Sequence, residues 1–569
     1  MKSSIIKMKN ICRHFLVLII MSAALFGCSD MLNNDPDRLT SADEYNMQAS
    51  GDSVYSMFGV LSKLQNLADS YVLLGELRAD LMDITPSSDM YLKQINDFEI
   101  NHDNKYVNLK NYYDVINNCN YIIQKLDTNV VDKGKKLQIR EYAALKSIRA
   151  WTYMQLALNF RTVKYYTYPI LTVDDAQKEI PEISLEQLAD SLIADIEPVK
   201  AVPMPELGAT DGYYFGYSFM PVYFVLGDLY LWRASLLNSM ADYEKAATAY
   251  HKLMETEQVV INGDKDNTGL YKVSSPVSYW VEENKTISKK AKLYWMNSFA
   301  LSGGEVLSAI TCPTTYGKQY SIDSLNNQHK IVASSVSLDN WGRQTYYLNA
   351  ASNTQGDLRK YGSISFSDET NSKVVSNFDF TGVTADTHLI YKYKVYNQNL
   401  VIYRASLLYL RYAEAVNRLN KPNLAFAVLK NGLTSINMND KKIVPALEKG
   451  TVMPEYMSFS GAWSSRNVGI RMRGVGNANA DTTFFRMNKM NTLKDSVLFV
   501  EDKILEELAL ETAFEGNRFH DLMRYTLRRI KTGEGTEAYL VDKVAAKHTE
   551  NKEAIRLKLN SIDNWYIKK

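Results

Sequence analysis

Apolar residues recur at spacings of three and four through Asp52 to Asp83, Lys110 to Leu126, Gln138 to Arg161, Ser184 to Glu197, Pro221 to Leu237 and Asp242 to Thr256. That is the period of a helix with one buried face. Ser184 followed by Gln187 spells a capping box, Pro221 suits a first helical turn, and Asp242 reads as an N-cap. The same period returns from about Leu400 to Leu433, broken near Lys421-Pro422, and again from Asp495 to Arg529. Helix pairs joined by short turns predict a stack in which no pair buries its face alone. Gly227 and Ala234 are spaced to interlock with Tyr243, Ala246 and Tyr250 of the next helix, although no clean repeat of about 34 residues stands out. The expected architecture is mainly α, a tetratricopeptide-like repeat scaffold.

Residues 257–399 change character, with more Ser, Thr, Asn, Gly and Asp and with alternating pieces such as Ile390 to Val395 that predict strand. This is a loop-rich, partly β insertion on the helical frame. A second irregular stretch covers 445–491. Loops on a rigid scaffold are where binding residues concentrate, and Trp280, Trp295, Trp341 and Trp463 all fall in these two stretches. Together with Tyr346 and Tyr347 they are candidate ligand platforms, the alternative for each being packing inside a loop core. Cys119 lies in a helical pattern and reads as a small buried apolar residue. A bridge between Cys119 and Cys312 stays open.

The N-terminus adds a different kind of signal. Lys2, Lys7, Lys9 and Arg13 precede an apolar run from Phe15 to Phe26 that is too short for a bilayer core needing about 20 residues. The run closes on Leu25-Phe26-Gly27-Cys28, a lipobox-like ending with Cys28 as the acylated residue. The predicted organisation is a lipoprotein signal over 1–27, a lipidated tether over 28–40, a helical block over 41–256, the insertion over 257–399, and a C-terminal helical block over 400–569 containing the irregular 445–491 loop. Among the 569 residues, 65 basic side chains nearly balance 64 acidic ones, so no basic field for nucleic acid exists. Tyr at 38 exceeds Phe at 19, a surplus of the aromatic that suits wet binding surfaces.

Five segments then resemble a known family: Leu73 to Asp80 (LLGELRAD), Tyr112 to Asn120 (YYDVINNCN), Glu141 to Phe160, Leu407 to Asn417 (LLYLRYAEAVN) and Ile504 to Tyr525 (ILEELALETAFEGNRFHDLMRY). Their order, after a lipobox, is similar to the SusD/RagB family of nutrient-uptake lipoproteins. The C-terminal Asn564 to Lys569 (NWYIKK) departs from the proline-containing ending common there, and Thr512-Ala513 from a frequent Leu-Ala. The resemblance implies a helical fold with four tetratricopeptide-like pairs and a lipid-anchored position on the outer membrane, facing the exterior. It also implies a lid-like partnership with a SusC-type TonB-dependent transporter. Members typically bind glycans, while the RagB branch is associated with peptides. Arg78 and Asp80, at the end of an early helix, are second-rank polar ligand candidates.

Catalytic constellations are weak. Glu507, Glu511 and Glu515 form one helical stripe, but Glu515 with Arg518, Asp521 with Arg524 and Arg411 with Glu414 stand at i,i+3 and read as bracing ion pairs. No GxSxG, HExxH or phosphate loop occurs, the histidines lack ligand spacing, and Asp264 to Gly269 mimics a calcium loop whose twelfth position is Ser275. No catalytic residue, metal or cofactor is expected. The functional expectation is a surface receptor that captures oligosaccharide for a transporter, with oligopeptide as the alternative ligand.

Overall fold

The computed structural model describes residues 50–259, 295–365 and 389–569, with short gaps inside these spans. Helices form where the apolar period predicts them. In the N-terminal half they are α1 Ser50–Leu64, α2 Leu109–Lys125, α3 Ile139–Phe160, α4 Leu185–Ile196, α5 Val222–Leu237 and α6 Met240–Thr256. The C-terminal half has α7 Ala405–Arg418, α8 Pro422–Lys430, α9 Leu493–Glu511 and α10 Arg518–Thr532. Outside the predicted spans, α11 Ala538–Ala545 and α12 Lys552–Leu559 follow. The fold is mainly α, with strands only as two-stranded ribbons among the described residues.

Local chemistry sets the ends. Ser184 and Gln187 exchange both bonds of the predicted capping box. Asp242, expected as a cap, instead lies inside the first turn of α6 and is gripped by Arg233 Nε at 2.9 Å. The cap is Ser239, whose side chain accepts the Asp242 N–H. A capping residue must precede the turn whose N–H groups it satisfies, and Ser239 does. The single predicted span Asp52 to Asp83 divides into α1, a short helix and a π-helical turn over Leu73–Leu77 before the strand Met82–Ile84.

The helices pack as neighbouring pairs. A β-carbon on Gly227 of α5 would stand 2.4 Å from Tyr250 Cε1 of α6, so only glycine lets the two helices meet there. Tyr250 then donates its hydroxyl to Asp228 at 2.6 Å, fixing the pair. α6 continues onto α7, and α7 onto α8 and α9.

Two strand pairings stitch the described part of the loop-rich stretch to this frame. Val306–Thr311 pairs antiparallel with Asn399–Arg404, placing Leu400 opposite Ile310. Ile331–Ala333 pairs with Met82–Ile84 from the N-terminal half. Of the predicted strand Ile390 to Val395, Ile390 pairs with Ile364 and most of the rest lies outside the described residues. Cys119 is buried in α2 without a disulfide, and burial pushes its thiol up to about 12. Among the described residues no helix is long and apolar enough to cross a membrane.

Candidate functional site

The loop aromatics do not converge on one surface. Trp295 is fully buried, its Nε1 donating to Ser363 Oγ at 3.3 Å, and Gly362 packs directly against the ring. Trp341 is also fully buried and donates to the Leu510 carbonyl at 3.2 Å. Tyr346 is buried too. For these three the expectation of exposed rings is corrected: the insertion folds back on α9 and makes its own core, which helical periodicity alone could not reveal. Trp463 is half-buried beside Phe459 and His251. Trp280, Cys28, the Asp264 to Gly269 segment and the side chain of Tyr347 lie outside the described residues.

The carboxylate stripe is consumed by ion pairs, though not all with the expected partners. Asp521 meets Arg524 at 3.0 Å, and Arg411 stands 3.8 Å from Glu414, as the spacing predicts. Glu515 does not meet Arg518; it pairs with Arg404 and Lys392, both at 2.7 Å, from the end of the insertion. The reason is a break in the helix. α9 stops at Glu511, and the chain turns through Phe514 (φ 69°) and Gly516 (φ 86°) before α10 starts. Glu507 and Glu511 both bind Arg359, at 2.6 and 2.7 Å, and Glu511 also binds Arg404 and Arg473 at 2.9 Å. Burial pushes Glu511 upward, but Arg473, Arg404 and Arg359 outweigh it and hold the carboxyl well below the usual range. A carboxylate so held is a poor proton carrier near neutral pH.

That break also joins the two ends of the chain. Glu76 accepts backbone N–H bonds from Phe514 at 3.1 Å, Gly516 at 2.8 Å and Asn517 at 3.2 Å. Burial pushes this carboxyl up to about 8, against the pull of those N–H groups. Arg518 turns away to clasp Asp80, with bonds of 2.7 and 2.8 Å. Asp80 is therefore a buried structural partner, and its place as a ligand candidate is corrected.

Arg78, between these two acids in sequence, has a different surrounding. Its Nε donates to the Leu74 carbonyl at 2.9 Å, Nη1 to the Trp565 carbonyl at 3.0 Å, and Nη2 to Asn159 Oδ1. The guanidinium lies 4.3 Å over the Phe519 ring, with His520 Nε2 at 3.4 Å. Burial lowers Arg78 to about 9 and pushes His520 well below the ordinary histidine range, so the ring is neutral. Arg78 sits in the lining of a half-open cleft of about 480 Å³. One wall is the Phe98–Asn101 loop and the other is Lys558 with the C-terminal Asn564, Tyr566 and Lys568. Phe98 holds φ at 56°, a left-handed backbone that a bulky residue adopts only where its surroundings impose it.

This cleft is a candidate site among the described residues. Its lining brings together the Phe98 and Tyr566 rings, the Arg78 cation and the amides of Asn101 and Asn564. Of its residues, sequence reasoning singled out Arg78 alone. A signal for the opposite wall did exist in the C-terminal Trp565-Tyr566, two aromatics followed by Lys568 and Lys569. Nothing in the sequence marks Phe98, because its backbone conformation depends on tertiary packing.

No protein-family model and no curated protein matches the chain. Solved structures do. A SusD superfamily protein from Bacteroides vulgatus is 15% identical, covers 91% of this chain and 98% of its own, and superposes with a TM-score of 0.55. Another, from Bacteroides thetaiotaomicron, is 17% identical over 91% of this chain and 94% of its own, with a TM-score of 0.53. A candidate sugar-binding protein from Bacteroides vulgatus is 15% identical over 85% and 88%, with a TM-score of 0.52. The helical scaffold, with its insertion stitched between Val306 and Arg404, therefore has the SusD-superfamily fold.

Proposed function

We propose that this chain is a SusD-like nutrient-binding lipoprotein, anchored to the outer membrane through Cys28, that captures oligosaccharide at the cell surface and delivers it to a SusC-type TonB-dependent transporter. The observation that carries the reading is the fold match along 91% of the chain to SusD superfamily proteins. Supporting it, the cleft beside Arg78 offers Phe98 and Tyr566 as ring surfaces, and sugars present flat C–H faces that pack on such rings. Asn101 and Asn564 supply donors and acceptors for hydroxyl groups. Trp463, half-exposed beside Phe459 and His251, is a separate candidate ring outside the lining of this cleft. The Glu507, Glu511 and Glu515 stripe is ion-paired in the core, which supports a binding role over a hydrolytic one. Native mass spectrometry of the unlipidated protein, incubated in parallel with a glycan library and a protein digest, tests this. Glycan adducts are expected; adducts from the digest alone would replace the oligosaccharide with a peptide.

A further inference from the structure

Every other buried arginine among the described residues faces a carboxylate. Arg149 pairs with Asp195 at 2.6 Å, Arg359 with Asp357, Glu507 and Glu511, Arg404 with three glutamates, and Arg518 with Asp80. The buried arginines of α7, α10 and the 445–491 loop follow the same pattern. Arg78 breaks it. Its partners are two carbonyls, an amide oxygen and a neutral imidazole, all dipoles without net charge. A guanidinium has five N–H donors, so these partners leave it short of acceptors as well as of countercharge.

Isolated buried charge is costly, and proteins remove the cost by pairing it. Here no anion is supplied by the fold, and the guanidinium, itself buried, borders the cleft. The rest of the cleft points the same way. Lys558 is already neutralised by Glu99 at 2.8 Å, but Lys568 on the rim is exposed. Arg78 and Lys568 thus leave the lining with net positive charge after Glu99 has been counted.

We propose that the ligand taken by this cleft carries a carboxylate, and that it is an acidic oligosaccharide of the uronic acid class whose carboxylate lies toward Arg78 while its ring faces pack between Phe98 and Tyr566. The inference rests on the oligosaccharide reading above and narrows it. A carboxylate supplies the countercharge that the carbonyl, amide and imidazole partners of Arg78 lack, and a charge-assisted hydrogen bond to its remaining N–H is roughly twice as strong as a neutral one.

The test uses the full mature chain and matched ligand pairs. Short oligosaccharides ending in glucuronate, galacturonate or mannuronate are compared by calorimetry with their methyl esters and with neutral oligosaccharides of equal length. At least one acid is expected to bind about tenfold to a hundredfold more tightly than its ester. Lys568→Glu, an exposed change that leaves the melting temperature in place, should erode that preference several-fold, and Arg78→Lys should reduce it further. If no acid binds more tightly than its ester, or neutral oligosaccharides bind best, the inference fails and the oligosaccharide reading stands. If the preference survives both substitutions, the carboxylate is recognised elsewhere and the inference fails. Binding of peptides from a digest, with none of the sugars bound, overturns both.

Discussion

Arg404 and Arg78 are both fully buried arginines, and they differ in what stands opposite. Arg404 sits among Glu305, Glu511 and Glu515 at 2.7–3.2 Å, within a network that ties the end of the insertion to α9. Arg78 sits among carbonyls, an amide and an aromatic ring at the edge of a cleft. The first arrangement is closed: each charge has its complement inside the fold, and a ligand would have nothing to add. The second has no carboxylate opposite the cation within the fold. For these two arginines it is the charge of the neighbours, not burial, that separates a scaffolding role from a candidate binding role.

The largest expected effect strikes the closed network. Arg404→Met removes one cationic partner each from Glu305, Glu511 and Glu515 and leaves these buried carboxylates short of countercharge, a loss of about 3–5 kcal/mol. Chemical denaturation should show an early midpoint with an unchanged slope. A loss under about 1 kcal/mol would mean that the network is dispensable and would remove one side of the comparison.

A second test reads the networks by pH. Burial pushes the Glu414 carboxyl up, but Arg524 and Arg528 outweigh it and hold it at about 2 in the folded protein. In the unfolded chain the group protonates near 4.5. Between those values the unfolded state binds more protons, so stability present above pH 4.5 is lost as pH falls toward 2. A shift of this size corresponds to about 3 kcal/mol from Glu414 alone. Burial pushes Glu507 the other way, above its ordinary value despite Arg359, so its own contribution falls as pH rises and partly offsets the others. Urea midpoints measured from pH 5 to pH 2 should fall steadily. A flat profile would show that the buried acids are not ionised partners of these arginines.

The difference between the two regions also explains what was legible in the sequence. Helices repeat every 3.6 residues, so the apolar stripes of α2 to α10 were readable, down to Gly227 against Tyr250. The i,i+3 pairs within α7 and α10 were readable for the same reason. What failed was everything set by distant partners. Glu515 and Arg518 look paired on a continuous helix, but the break at Phe514 and Gly516 sends one to Arg404 and the other to Asp80, more than a hundred residues away in each case. The insertion's tryptophans lack helical period, which suggested exposure, whereas Trp295 and Trp341 are buried by contacts to Ser363 and Leu510. The cleft joins residues near position 100 to the last residues of the chain, and no local pattern brings Phe98 to Tyr566.

The smallest expected effect is the most informative about the open region. Arg78→Met deletes three hydrogen bonds from a charged donor, each worth about 1–3 kcal/mol if it stood alone. The same substitution removes a buried charge that no acid in the fold compensates, and it places an apolar side chain beside Phe519. No carboxylate is orphaned, unlike Arg404→Met. The two contributions oppose each other, and the expected net loss is about 1–2 kcal/mol, well short of the Arg404→Met loss, measured by denaturant unfolding of both variants side by side. Should the two variants lose stability equally, carbonyl dipoles serve Arg78 as fully as glutamates serve Arg404, and the cleft holds no deficit of charge for a ligand to fill. Should Arg78→Met keep most of its stability, the guanidinium is there for something other than holding the fold together.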